Sequence, residues 1–179
     1  MLNAATRESG VTLVEMLIGM AIVGFVLLMG LPNFSLWLQK AQIRTAAEAI
    51  ENGLQLARSE AVRQNAVVQF VLGSGAAWSV GCASVTTDCP ATIQSRPAAE
   101  GSRNAVVTTS GGLTMIAFNG LGRLTPVPAA AIDIDVTNPT GGDCVSAAGP
   151  MRCLRVVVSA GGQIRMCDPA FASTDPRGC

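Results

Sequence analysis

The sequence predicts an α+β protein in which one long N-terminal helix packs on a small antiparallel β-sheet domain. Three observations predict it: an uncharged apolar run from Met16 to Gln39, an apolar stripe at helical spacing from Ile43 to Ala61, and a series of short strand-like runs after Asn65. The length of 179 residues fits roughly one domain of this kind.

The apolar run comes first. Its 24 residues carry no charge, and as a helix they would reach roughly 36 Å against a hydrocarbon core of about 30 Å. A cleaved secretory signal would end in a small-residue cleavage site. Here the run ends in Pro32-Asn33-Phe34-Ser35-Leu36-Trp37 and continues into more helix-forming sequence, so a retained anchor is expected. Trp37 suits the membrane interface. At the start of the run, Thr12-Leu13-Val14-Glu15 has the form of a capping box, in which hydroxyl and carboxylate satisfy free amides at a helix start. The residues alone leave open whether Glu15 serves that cap or is a functional acid at the edge of a membrane, where a carboxylate is costly unless partnered.

Ile43, Ala47, Ile50, Leu54, Ala57 and Ala61 recur at intervals of three and four, with Arg44, Glu48, Glu51, Arg58 and Arg63 largely on other faces. This is an amphipathic helix. One helix is expected from about Thr12 to Gln64, kinked or loosened near Pro32, with its second half laid on a globular part. Strands follow over residues 67–72, 78–82, 105–109, 113–118, 132–136, 154–159 and 163–166. The run Ile132-Asp133-Ile134-Asp135-Val136 alternates strictly, as a strand with one wet face does. Asp133 and Asp135 share that face; it reads as solvated surface rather than a calcium site. Asn119-Gly120 and Gly161-Gly162 are hairpin-type dipeptides, Trp78 reads as packing, and 141–151 reads as an exposed loop.

Composition narrows the chemistry. There is no histidine and a single lysine, Lys40; the first removes histidine-based triads and His-Glu zinc sites, and the second leaves Schiff-base chemistry without a plausible residue. No enzyme, cofactor or metal site is expected. Twelve basic and twelve acidic residues cancel, and the pI is near 6.2, so any nucleic-acid binding must be local. Cys82, Cys89, Cys144, Cys153, Cys167 and Cys179 contain no C-x-x-C pair and point to structural disulfides in an oxidising compartment. Pairing of sequence neighbours is expected: Cys82 with Cys89, Cys144 with Cys153, and Cys167 with Cys179, the last stapling the C-terminal tail.

The stretch Glu8-Ser9-Gly10-Val11-Thr12-Leu13-Val14-Glu15, followed by the apolar run, resembles the cleavage and methylation segment of type IV prepilins and type II secretion pseudopilins. The resemblance implies that a prepilin peptidase cuts after Gly10 and that the new amine of Val11 is methylated. It also implies that Glu15, fifth in the mature chain, pairs with the amino terminus of a neighbouring subunit during assembly. Pro32 falls where many pilins carry a helix-kinking proline, whereas Val11 replaces the family's usual Phe. Three later patches, Ala57 to Asn65, Phe118 to Arg123 and Gly161 to Pro169, are similar to the GspH/FimT group and especially its FimT/FimU minor pilins.

On that basis the expected organisation is a leader over 1–10, a transmembrane and assembly half-helix over 11–38, an amphipathic half-helix over 39–65, and a disulfide-stapled β-rich head over 66–179. The resemblance implies a minor type IV pilin, first held in the inner membrane, then assembled with other pilins at or near a pilus tip; the six cysteines place its C-terminal part outside the cytoplasm. A GspH-like pseudopilin of the type II secretion machine is the rival. DNA is the remaining partner to weigh. From Cys144 onward, Arg152, Arg155, Arg165 and Arg177 face only Asp168 and Asp175, a side-chain balance of +2. DNA-binding FimT-type pilins carry a Gly-Arg-x-Arg near the C-terminus. Here Gly162-Gln163-Ile164-Arg165 keeps only Arg165, so ordinary surface arginines, Arg165 supporting the tail, are favoured over a site built on Arg165 and Arg177.

Overall fold

A computed structural model of the chain describes residues 10–179, with the side chains of 29–33 excepted. Residues 1–9, most of the expected leader, and the Pro32 side chain therefore lie outside the described residues. The chain divides into two compact units, Met1–Trp37 and Leu38–Cys179. Helix α1 runs over Leu13–Gln64 as one element. Among the described residues no helix is long and apolar enough to cross a membrane.

In the first unit the apolar side chains from Val11 to Leu28 are all exposed, and Phe34 stacks on Trp37 with ring centroids 5.8 Å apart. The second unit buries the expected stripe completely: Ile43, Ala47, Ile50, Leu54, Ala57 and Ala61, joined by Ala46. The helix stops at Asn65, which takes a left-handed conformation at φ 47°. The Asn65 amide donates to the Val62 carbonyl and the Ala66 amide to the Ala61 carbonyl, the paired bonds that close a helix on a left-handed residue.

Eight strands follow, and they form two sheets rather than one. The first has the order β3-β2-β1-β5, built from β1 (Val68–Leu72), β2 (Trp78–Cys82), β3 (Gln94–Arg96) and β5 (Met115–Phe118). The second has the order β4-β6-β7-β8, from β4 (Val106–Thr109), β6 (Ile132–Thr137), β7 (Leu154–Val158) and β8 (Ile164–Cys167). Every pairing is antiparallel. The strand β3 was not expected, because Gln-Ser-Arg carries no apolar signal. The alternation over β6 is seen directly, with Ile132, Ile134 and Val136 buried and their neighbours half-exposed.

α1 lies against the first sheet at Gly53, where a Cβ would come within 2.7 Å of the Phe70 ring and 3.1 Å of the Trp78 indole. A glycine in mid-helix costs about 1 kcal/mol relative to alanine. Here the missing side chain admits two rings that pack on each other with centroids 5.6 Å apart. At its entry into the head the helix is held by amides: Gln39 Oε1 accepts from the Nδ2 groups of Asn138 at 2.6 Å and Asn104 at 3.2 Å, and Gln42 Oε1 accepts the Asn104 amide at 3.0 Å.

The 141–151 stretch is not wholly the exposed loop expected. Met151 is fully buried and bridges back to Cys144. A single long thioether at the end of a polar stretch fills the space beside Gln39 and Gly141, a tertiary contact that local composition does not encode.

Candidate functional site

The N-terminal segment begins with half of the expected capping box. Thr12 Oγ1 accepts the backbone amide of Glu15 at 3.3 Å, and the Thr12 carbonyl accepts that of Met16. The reciprocal bond is absent among the described residues: the Glu15 carboxylate has no partner there. Thr12 thus caps the helix, while the acid at the head of an uncharged surface finds no partner among the described residues.

The second assembly lies at the far end of α1. Three stretches distant in sequence, residues 57–65, 118–123 and 161–169, meet there. Gly120 packs against Asn65, the helix-terminating residue, with only 3.1 Å from the position of a Cβ to Asn65 Cα. Gly122, at φ 71°, would place a Cβ 3.1 Å from Arg58 Nε and 3.2 Å from Val62. Gly162, at φ 82°, sits directly on the Gly122 carbonyl, where any Cβ would collide with the oxygen. The loop is self-supporting, since Asn119 Oδ1 accepts the amides of Leu121 and Arg123 at 3.0 and 3.2 Å. It also sews the sheets together: the Thr125 amide donates to Ala117 at the end of the first sheet, and the Leu124 amide to Ala160 in the β7–β8 turn of the second. Nothing in the sequence joined these patches. The signal available was a glycine in each loop at a position that only close backbone approach explains.

The third assembly is the C-terminal tail. Disulfides join Cys82 to Cys89, Cys144 to Cys153 and Cys167 to Cys179, with Cα–Cα separations of 5.7, 5.4 and 5.3 Å, within the usual range. Inside the last loop the Asp168 carboxylate is buried. It accepts from Arg152 Nε at 2.5 Å and from the Ala170 amide at 2.9 Å. The Phe171 ring lies between two guanidinium groups, Arg152 at 4.8 Å and Arg177 at 4.0 Å from its centroid. Arg177 is bidentate to Asp175, and Arg165 Nη1 donates to the Gly178 carbonyl at 3.1 Å. Both arginines weighed for DNA therefore spend donors on holding the tail. Arg155 is engaged as well, forking onto Asp135 at 2.7 and 3.0 Å and reaching Asp133 at 3.0 Å. The wet face of β6 is thus half of a cross-strand ion cluster, and these carboxylates raise the Arg155 pKa above its ordinary value.

The Arg177 side chain, followed by its backbone amide, holds the Asp175 carboxyl at about 2, below its usual range. A carboxyl depressed on folding stabilises the native state above its unfolded pKa of about 4; that contribution is lost as pH falls through the folded value. Carboxyl NMR should place the Asp175 midpoint near 2. In Arg177→Gln it should return toward the ordinary value, and an unmoved midpoint would remove Arg177 as the cause.

A family model described as type II transport protein GspH matches residues 46–162, which span most of the stripe, the whole first sheet, β4, β6 and β7 of the second, and the glycine contacts at the end of α1. The chain belongs to the GspH family. A second model, the prokaryotic N-terminal methylation motif, matches residues 5–31. A comparison with curated proteins finds no match. Among solved structures, the type IV minor pilin FimU of Pseudomonas aeruginosa is similar at 20% identity and a TM-score of 0.55, covering 74% of this chain and 93% of that one. The minor pseudopilin EpsH of the Vibrio cholerae type 2 secretion system is similar at 12% identity and a TM-score of 0.52, covering 74% and 99%. The solution structure of E. coli GspH is similar at 14% identity and 0.50, covering 76% and 94%. At these identities the likeness is one of fold, and the α+β architecture of the pilin-like GspH family is shared by all three.

Proposed function

We propose that the chain is a minor pilin: a structural subunit, not an enzyme, which is cut after Gly10 and assembled with other pilins through its N-terminal helix half. The observation that carries this is the Glu15 carboxylate, without a partner among the described residues, at the head of an uncharged helix surface and within the methylation-motif match over residues 5–31. An acid in that setting is stable only with a cationic partner, and the amine that cleavage would create at Val11 is such a group. Membrane anchoring before assembly follows from the same proposal, with the apolar half-helix over 11–38 as the anchor and the head over 66–179, with its three disulfides, outside the cytoplasm. Tail arginines already bonded within the tail weigh against DNA as a partner of that region.

A second reading is a minor pseudopilin of a type II secretion system. It is favoured by the family description over residues 46–162 and by the likeness to EpsH and GspH. The two readings separate on where the mature chain goes. If it is a minor pilin, deletion of its gene should reduce sheared surface pili and leave secreted proteins unchanged. Loss of secreted proteins with normal pili would give the chain to the secretion machine.

Both readings require processing. Mass spectrometry of assembled material should find a chain that begins with N-methylated Val11. An intact Met1 terminus there would sink both.

A further inference from the structure

We propose that the cleft between α1 and the free edge of β3 binds an extended, acidic segment of a protein partner, added as a strand alongside β3. The cleft has a volume of about 280 Å³ and is lined by Ala49, Asn52 and Leu56 of α1, Trp78 of β2, and Gln94 and Arg96 of β3. The register explains the lining. Arg96 lies opposite Trp78, and Gln94 opposite the buried Val80, so both β3 side chains share the sheet face on which α1 packs. On the helix, Ala49, Asn52 and Leu56 are spaced at i, i+3 and i+7, along the border of the buried stripe. β3 ends the sheet on this side, which leaves the helix overhanging an edge that one further strand would cover.

The donor set selects the occupant. Trp78 is only 5% exposed, yet its indole Nε1–H has no acceptor among the described residues; a buried donor without an acceptor costs roughly 1–3 kcal/mol. Arg96 donates to Ser102 Oγ at 3.3 Å and to the Glu100 carbonyl. Its nearest carboxylate, that of Glu100, is 3.9 Å away and 64% exposed, so the guanidinium is weakly neutralised. None of the six lining residues is acidic. An extended chain supplies carbonyls to an edge strand, and a carboxylate on its inward face complements Arg96 and the indole. The half-buried Ala49 and Leu56, at either end of the lining, suit small apolar side chains two positions to each side of that acid.

The test uses the full chain in detergent micelles as Trp37→Phe, so that the single indole N–H resonance reports Trp78. The probe is the acetylated and amidated peptide Val-Thr-Glu-Thr-Val, compared with the same peptide carrying Lys for Glu. The expected result is a saturable shift of the indole resonance with the Glu peptide, and binding at least about tenfold weaker with the Lys peptide, about 1.4 kcal/mol. Asn52→Phe, a change at an exposed helix position that fills the cleft, should abolish the shift while leaving the remaining spectrum in place. No shift at millimolar Glu peptide overturns the proposal, as does equal binding of the Lys peptide or unchanged binding by Asn52→Phe. A resonance that moves with protein concentration alone gives the cleft to a second copy of this chain and also overturns it. None of these outcomes depends on whether the chain is a pilin or a pseudopilin.

Discussion

Glu15→Ala is expected to leave synthesis and cleavage nearly intact and to block incorporation into the assembled fibre. The helix start should barely notice, because Thr12 Oγ1 bonds the backbone amide of residue 15, which alanine retains. Loss of an acid near a helix N-terminus costs at most about 1 kcal/mol. An ion pair in a low-dielectric setting is different. Removing one partner strands the other and costs roughly 3–5 kcal/mol, which corresponds to a loss of incorporation on the order of 10² to 10⁴-fold. Immunoblotting of membrane and sheared fractions measures both quantities at once. Assembly of the alanine variant at normal levels would reduce Glu15 to a helix-end residue.

Gly162→Ala should destabilise the head by about 3 kcal/mol and lower its melting temperature by about 10 °C. Two costs combine. The residue adopts φ 82°, and its Cβ would strike the Gly122 carbonyl, a backbone atom that cannot rotate away. Gly111→Ala separates them. Gly111 has φ 74° with nothing within 4 Å of a Cβ, so it carries only the conformational cost of about 1–2 kcal/mol. Thermal unfolding of both variants, full-length in detergent, checks the difference. Equal losses would mean that the loop at the end of α1 yields, and that its contact with the β7–β8 turn is not a fixed joint.

The sequence made the helix and seven strands legible because each carried an apolar run or a hydrophobic period. The stripe from Ile43 to Ala61 and the alternation from Ile132 to Val136 record burial directly, and burial is what folding selects. What no period records is partnership. That β4 pairs with β6 while β5 returns to β1 depends on loop paths, so two sheets could not be told from one. β3 was invisible because Gln94, Ser95 and Arg96 sit at an edge, where a polar strand is no penalty. At the candidate site, the resemblance around Gly10 and Glu15 was readable at once, being contiguous. The contact of Arg58 with Gly122 and Gly162 was not, since it spans some hundred residues and depends on the absence of side chains. Asp133 and Asp135 looked like solvated acids, and their partner Arg155 lies on the next strand, a choice that register alone makes.

The interleaving of the sheets sets an order of events during synthesis. The first sheet can close once Phe118 has emerged, since β5 completes it. By then β4 has been made, and its hydrogen-bonding partner, β6, begins only at Ile132. During that interval Val106–Thr109 is an unpaired strand tethered beside a finished sheet, with the free backbone that invites pairing with another chain. Its rescue is local in sequence: β6, β7 and β8 form a meander of successive antiparallel neighbours. The vulnerable window of this protein is therefore the time taken to make residues 119–137, and a factor that shields nascent chains would act on β4.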